Sequence, residues 1–356
     1  MNFKNLSEVS DYVNERVKVE NLTVENYIST ENMLPNKGGI DKATKLPAAK
    51  TTSLYSKGDI LLSNIRTYFK KIWYTEKDGG CSNDVLVVRA RGEIEPKFLY
   101  YVLSNDKFFE YSSATSKGTK MPRGDKSAIM QYQIPDMPLE EQRTIVSVLS
   151  ALDDRIAENK KINHHLEQMA RAIFDDMFPN VTSGDHTIGE YITPKRGKGL
   201  LSKNAVPGPI PVIAGGLQPA TYHNVSNTKA PVLTISASGA NSGYIGLWNT
   251  PVWSSDSSFI DVDMTKDVYF WYVMLSKRQQ EIYDMQTGSA QPHIYPKHIS
   301  IMPTIELSQS QIDEYSRVVT PLFDEIGANK LENKQLEDTR DTLLPKLMSG
   351  EISVTG

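Results

Sequence analysis

The stretch Leu139–Phe178 reads LEEQRTIVSVLSALDDRIAENKKINHHLEQMARAIFDDMF and decides how the chain is organised. It begins after Pro138 and ends before Pro179, with no Gly or Pro inside, which predicts one long helix. Its seam positions recur at alternating steps of three and four: Leu149, Leu152, Ile156, Asn159, Asn163, Leu166, Ala170, Ile173 and Met177. This heptad period is typical of a helix that coils around a partner helix.

A second stretch, 309–348, supplies that partner within the same chain. Ile326 follows Ile156 at an offset of 170 residues (326 − 156 = 170). The second seam consists of Val319, Leu322, Ile326, Asn329, Asn333, Leu336, Arg340, Leu343 and Leu347. An antiparallel pairing in register would place Asn159 opposite Asn333 and Asn163 opposite Asn329, because asparagines in a seam fix register and orientation.

The repetition extends beyond the helices. Gly118 and Gly288 share the offset of 170, whereas Asp84 and Asp256 share an offset of 172 (256 − 84 = 172). We therefore predict an α+β protein with two mixed α/β domains in pseudo-twofold repeat, separated by two long helices that form an antiparallel coiled coil. The predicted segments are a first domain at 1–138, a helix at 139–178, a second domain at 179–307, a helix at 308–348 and a tail at 349–356.

Short apolar runs predict the elements inside each domain. In the first domain we expect strands at 60–62, 72–75, 85–88 and near 129–134, and a helix at 96–103. Asp78-Gly79-Gly80 is typical of a turn. In the second domain we expect strands at 231–236, 244–248 and 258–262, and a helix at 268–275.

Composition narrows the possible functions. The 356 residues are 39% hydrophobic and 23% charged, with a formal net charge of −4, so nucleic-acid binding would have to use local basic patches. The single cysteine, Cys81, excludes a disulfide framework and a cysteine-based zinc site. We find no phosphate-binding loop, no adenine-methylation motif and no apolar run of about 18 residues, and we expect a cytoplasmic protein with no membrane association. Adjacent His164 and His165 face different directions on a helix, which argues against a metal site.

Basic loops are the candidates for DNA contact. Lys117, Lys120, Arg123 and Lys126 lie within ten residues and would neutralise phosphates, although four such residues also occur simply as solubilising surface charges. Arg66, Lys70 and Lys71 lie among aromatic residues. In the second domain, the candidates for phosphate contact are Lys195, Arg196 and Lys198, and the candidates for base contact are Ser238, Asn241, Ser289, Gln291 and His293.

Three stretches resemble one known family. Met137–Val146 is similar to the entry into the first long helix of type I restriction–modification specificity subunits. Asp153–Glu167 resembles the central conserved region of that family, and Leu344–Ile352 resembles its C-terminal signature. The resemblance covers the full chain and is weakest inside the two globular domains.

The resemblance implies that each globular domain is a target recognition domain that reads one half of a bipartite site in double-stranded DNA. The long helices would act as the spacer and as the partner-binding surface. It further implies that the chain has no catalytic site and binds no cofactor. Two modification subunits would methylate adenine with S-adenosylmethionine, and two restriction subunits would use ATP and Mg²⁺.

Two alternatives come from other functional classes. One is a non-catalytic scaffold whose coiled coil joins two ligand-binding modules without DNA. The other is an enzyme with a site at the recurring Asp84 and Asp256, which we interpret instead as structural, capping or turn groups.

Overall fold

The computed structural model describes residues 2–288 and 290–353. The chain divides into two compact units. The first unit consists of Met1–Ile156 together with Lys334–Gly356, and the second unit consists of Ala157–Asn333. Within the described ranges, no helix combines the length and apolar character needed to cross a membrane.

The first unit combines strands with short helices. Its strands are β1 (Asn2–Asn5), β2 (Ser10–Tyr12), β3 (Arg16–Lys18), β4 (Tyr27–Ile28), β5 (Thr51–Tyr55), β6 (Ile60–Ser63), β7 (Ile72–Tyr74), β8 (Gly79–Cys81), β9 (Val85–Ala90) and β10 (Gln133–Asp136). Its helices are α1 (Leu6–Val9), α2 (Pro96–Ser104), α3 (Asp106–Ala114), α4 (Lys126–Ile129), the first part of α5 (Leu139–Met177) and the last part of α9 (Gln309–Met348). Single 3₁₀ turns occupy Val19–Asn21 and Thr67–Phe69.

Two sheets and a strand pair form the framework of this unit. One sheet has the order β2-β9-β6-β7 and is antiparallel throughout, and the other has the order β3-β5-β8-β4. The third pairing joins β1 to β10. The buried face of the first sheet packs on α2 through Ile60, Val88 and Phe98, which are fully buried. This apolar core holds the ends of β6 and β9 in place.

Two local predictions in this unit were wrong. A turn was expected at Asp78-Gly79-Gly80, but both glycines belong to β8, because glycine lets the strand approach its neighbours closely. A Cβ atom on Gly79 would lie 2.3 Å from the carbonyl oxygen of Asn26. The strand expected near 129–134 lies at Gln133–Asp136 instead, since the Asp125 side chain caps α4 by accepting from the backbone of Ser127 and Ala128.

The start of α5 is tied to the first unit by Gln142. This side chain is buried, and its Oε1 accepts from the backbone N–H of Glu95 at 2.9 Å. Its Nε2 donates to the carbonyl oxygens of Met137 and Glu93, at 2.8 and 3.3 Å. Gln142 therefore satisfies backbone groups of Met137, just before the long helix, and of the segment that leads into α2.

The second unit follows a similar plan. Its strands are β11 (His186–Thr187), β12 (Lys195–Arg196), β13 (Ile210–Ile213), β14 (Thr221–His223), β15 (Val232–Ser236), β16 (Ile245–Trp248), β17 (Trp253–Ser254), β18 (Ser257–Asp261) and β19 (Pro303–Thr304). Its helices are α6 (Val268–Lys277), α7 (Gln279–Asp284), α8 (Pro296–Ser300), the rest of α5 and the first part of α9 (Gln309–Met348). Single 3₁₀ turns lie at Ile188–Glu190 and Ser202–Asn204. One sheet has the order β12-β18-β15-β16, another has β14-β13-β17, and β11 pairs with β19.

The seam residues of α5 and α9 meet within the second unit as the antiparallel register predicts. The Nδ2 of Asn159 donates to Oδ1 of Asn333 at 2.9 Å, and the Nδ2 of Asn329 donates to Oδ1 of Asn163 at 2.9 Å. Asn159 is fully buried and also donates to Oε2 of Glu332 at 2.7 Å. Both predicted amide pairs are therefore present.

The apolar seam positions differ in burial. Leu149, Ile156 and Ile326 are buried, whereas Leu152, Leu166 and Leu336 are only half-buried. Within the first unit, the seam position Arg340 donates to Oδ1 of Asp153 at 2.7 Å. The other oxygen of Asp153 accepts from the hydroxyl of Tyr101 at 2.7 Å.

Candidate nucleic-acid interface

A hairpin-like loop carries the basic residues of the first unit. Lys117 and Arg123 exchange two backbone hydrogen bonds of 2.9 Å, which close the loop between them. Gly118 has φ +95°, a conformation that glycine adopts at little cost. The N–H of Arg66 donates to the carbonyl of Pro122 at 2.8 Å, and the N–H of Gly124 donates to the carbonyl of Asn64 at 3.1 Å. The loop is thus fixed to the segment that follows β6.

Cations on this loop are exposed. The side chain of Lys117 is 82% exposed and lies 2.5 Å from Asp125, and this ion pair lowers the pKa of the Asp125 carboxyl group. Lys120 and Lys126 are exposed as well. Arg123 donates through Nη2 to Oδ1 of Asp84 at 2.9 Å. The loop therefore presents several positive charges within a short length of chain.

The cationic residues at 66–71 are already engaged within the first unit. Lys70 forms an ion pair with Asp106 at 2.9 Å. The Nζ of Lys71 donates to the carbonyl of Thr30 at 2.6 Å, and burial lowers the pKa of this lysine. Arg66 is half-buried, and its Nε is buried with no hydrogen-bond partner. Their contact with DNA stays a prediction, and a ligand would have to compete with these internal contacts at Lys70 and Lys71.

In the second unit, a short strand carries the basic residues. Lys195 and Arg196 form β12 and pair with Phe259 and Ser258 of β18. Both side chains are exposed, as is that of Lys198, whose backbone N–H donates to the carbonyl of Ser254 at 2.9 Å. The sheet thereby holds the backbone of this segment while the charged groups face solvent.

Asp256 brings two of the predicted residues together. The Nη2 of Arg196 donates to Oδ1 of Asp256 at 2.6 Å. The hydroxyl of Ser238 donates to the other carboxylate oxygen. Asn241 is half-buried, and its backbone carbonyl accepts from the N–H of Tyr244 at 3.0 Å.

The loop at 287–293 is closed in the same way as the loop of the first unit. Thr287 and His293 exchange backbone hydrogen bonds of 3.1 and 2.8 Å. Gln291 is exposed, and the ring of His293 stacks on Tyr295 with centroids 5.9 Å apart. Ser289 lies outside the described residues.

The same backbone contacts dock the loop in each unit. In the first unit these are Asn64 N–H to Asp84 O, Arg66 N–H to Pro122 O and Gly124 N–H to Asn64 O. In the second unit they are Ala237 N–H to Asp256 O, Gly239 N–H to Pro292 O and Ile294 N–H to Ala237 O. A common backbone arrangement thus carries a lysine-rich loop in one unit and a loop with Gln291 and His293 in the other.

Sequence reasoning missed the arginine partners of Asp84 and Asp256. The recurrence of both aspartates at one offset was the available signal, but nothing in the sequence indicates which side chain each carboxylate meets. Apolar residues near the loops are also exposed: Tyr68 and Met121 are each 52% exposed, and Phe69 is 39% exposed. The described residues contain no group of three or more His, Cys, Asp and Glu side chains arranged to hold a metal ion.

The known proteins that this chain resembles are specificity subunits of type I restriction enzymes. Residues 1–168 match the family model described as type I restriction modification DNA specificity domain. The chain is 24% identical to the type I restriction enzyme MjaIX specificity subunit of Methanocaldococcus jannaschii, over 72% of this chain and 69% of that protein. It is 23% identical to the HindI specificity subunit of Haemophilus influenzae, over 92% of this chain and 94% of that protein.

A solved structure has a similar fold. The crystal structure of the type I restriction-modification system S subunit from M. genitalium matches 98% of this chain and 96% of its own length, with 21% identity and a TM-score of 0.58. At this level of identity, the similarity concerns the fold alone.

Proposed function

We propose that this chain is the sequence-specific DNA-binding subunit of a type I restriction–modification complex, because its sequence is similar to specificity subunits of that family. In this proposal it reads a bipartite target through two recognition domains, residues 1–138 and 179–307. The observation that carries the proposal is the recurring loop arrangement, in which one backbone pattern presents different exposed side chains in each unit.

The loops suit DNA for electrostatic and geometric reasons. Exposed Lys117, Lys120 and Lys126 on one unit, and Lys195 and Lys198 on the other, supply cations for phosphate contacts, although the chain as a whole is acidic. Gln291 and His293 carry hydrogen-bonding groups that match base edges. Short loops held by backbone hydrogen bonds position these groups without a large ordering cost. A scaffold that joins modules without DNA would not require cations on these loops.

The helices at 139–178 and 308–348 are assigned to the spacer, with the tail at 349–356. We propose that they form an antiparallel coiled coil about a pseudo-twofold axis, with the two domains as repeats. The amide pairs Asn159–Asn333 and Asn163–Asn329 support this arrangement, because each disfavours a slipped register. A helix of about 40 residues spans roughly 60 Å at ~1.5 Å per residue, which suits a spacer between half-sites.

The chemistry would belong to partner chains. We propose that this chain has no catalytic role and recruits two modification subunits and two restriction subunits in the cytoplasm. S-adenosylmethionine, ATP and Mg²⁺ would bind to those partners. Asp84 and Asp256, the residues of the enzyme alternative, are each ion-paired with an arginine, which supports a positioning role.

The test uses the full chain co-expressed with a modification subunit of a type I system. The host is a strain without other adenine methylation, and methylated adenines are mapped genome-wide. We expect one bipartite motif, and the chain expressed alone should methylate nothing. Methylation without a shared motif, or the same motif from the modification subunit alone, would refute the proposal.

A further inference from the structure

One feature of both units goes beyond phosphate contact and concerns base recognition. The aspartate that precedes β9, Asp84, and the aspartate that precedes β18, Asp256, each hold an arginine. We propose that Arg123 and Arg196 each recognise one guanine, and that Asp84 and Asp256 are the residues that position them. This inference rests on the proposed function and names the base that each recognition domain reads.

In the first unit, both ends of the ion pair are anchored by backbone hydrogen bonds. The carbonyl of Asp84 accepts from the N–H of Asn64 at 2.8 Å. Arg123 exchanges its N–H and carbonyl bonds with Lys117. The guanidinium uses Nη2 to reach Asp84, and the arginine side chain stays 57% exposed. The remaining N–H groups therefore have a defined direction and access to solvent.

In the second unit, the arginine comes from a different segment of the chain. Arg196 lies on β12, and its backbone pairs with Ser258. Its Nη2 donates to Oδ1 of Asp256, while Ser238 occupies the other oxygen of that carboxylate. The position that corresponds to Arg123 is taken by His293, at the offset of 170 (293 − 123 = 170). Each unit thus has an aspartate at the corresponding position, whereas the arginine that pairs with it comes from a different segment in each unit.

The geometry fits a base better than a phosphate. A carboxylate beside the guanidinium repels a phosphate and offsets the positive charge that would attract it. The same carboxylate orients the planar fork of N–H donors, and arginine recognises O6 and N7 of guanine through two such donors. Stability does not explain the pairs, because half-exposed ion pairs contribute little to folding. Lys120, which is exposed on the loop of Arg123, has the flexible charge expected of a phosphate contact.

Replacing Arg123 or Arg196 with lysine distinguishes base recognition from phosphate contact. Lysine keeps the charge that a phosphate needs but lacks the bidentate fork. In the co-expressed complex, Arg123→Lys is expected to reduce discrimination at one guanine of one half-site by roughly tenfold to a hundredfold, as loss of a bidentate base contact does. Arg196→Lys is expected to do the same in the other half-site. Asp84→Asn should relax the same position as Arg123→Lys.

The readout is the methylated motif, together with competition binding of the complex to duplexes changed at single positions. Lys120→Ala is the matched control, and it should lower affinity for all sequences alike without changing the motif. Unfolding temperatures are measured to test whether each variant remains folded. Arg123→Gln and Arg196→Gln serve as second variants at the same sites.

Three outcomes would overturn the inference. One is a half-site with no guanine on either strand, another is unchanged discrimination in both lysine variants, and the third is a uniform loss of affinity in Arg123→Gln with the motif intact. In each of these cases the parent complex still yields a bipartite motif, so the proposed function stands. If the parent yields no motif, the proposed function itself fails.

Discussion

The buried amide pair between Asn159 and Asn333 allows a quantitative prediction. Asn159 is fully buried, and its Nδ2 donates to Asn333 at 2.9 Å and to Glu332 at 2.7 Å. Its own Oδ1 is buried without a partner. Replacing Asn159 with Ala would leave Oδ1 of the buried Asn333 without its donor, whereas replacing both asparagines with Leu would remove the polar groups together.

These two changes should affect stability differently. An unsatisfied buried polar group costs about 1–3 kcal/mol, so Asn159→Ala should lower the free energy of unfolding of the second unit by about that amount. For a unit of the size of residues 157–333, this corresponds to a fall in Tm of roughly 2–12 °C. The Asn159→Leu/Asn333→Leu pair should be neutral or stabilising, because apolar residues replace a partly unsatisfied polar pair.

Thermal unfolding followed by tryptophan fluorescence measures these effects, since Trp271 lies in the core of the second unit. Lys160→Ala, at an exposed position beside Asn159, is the control and should leave Tm unchanged. The single variants Asn159→Leu and Asn333→Leu complete a double-mutant cycle. If the two single losses add up in the double variant, the asparagines do not interact and the reasoning is refuted.

Four further changes test other parts of the molecule. Neutralising Lys117 and Lys120 to Ala should reduce the slope of log affinity against log salt by about two units, as measured by DNA titration at several salt concentrations; an unchanged slope would exclude phosphate contacts there. Gln142→Ala should destabilise the first unit by about 1–3 kcal/mol in thermal unfolding, because it frees buried backbone groups, and wild-type stability would show that water replaces the side chain. Exchanging residues 186–306 for those of a relative should change one half-site of the methylated motif, and a change in both would contradict modular recognition. Inserting four residues after Lys161 lengthens that helix by about 6 Å and should lengthen the mapped spacer by one or two base pairs, so an unchanged spacer would exclude the helices as the ruler.

The sequence alone was sufficient for features that depend on local pattern. The helix predicted at 308–348 begins one residue later, at Gln309, and α5 ends one residue before the predicted Phe178. The amide pairs follow from heptad spacing, because seam positions leave few ways for two helices to pair. The strands at Ile60, Val85 and Val232 were recognisable because buried strands are continuous apolar runs.

Tertiary structure decided the features that depend on residues distant in the chain. Asp84 meets Arg123 and Asp256 meets Arg196 only because the sheets bring separate loops together, and no local signal identifies these partners. Lys71 was nominated for its charge, yet the fold directs its ammonium group to the carbonyl of Thr30.

Glycine gave a misleading local signal for a similar reason. Asp78-Gly79-Gly80 has the composition of a turn, but Gly79 lies in a strand at a position where the neighbouring backbone leaves no space for a Cβ atom. Periodicity along the chain therefore determined the helices, the principal strands and the pairing of the seam. The partners of Asp84, Asp256 and Lys71, and the close contacts of Gly79, come from segments far apart in sequence, so only the folded chain specifies them.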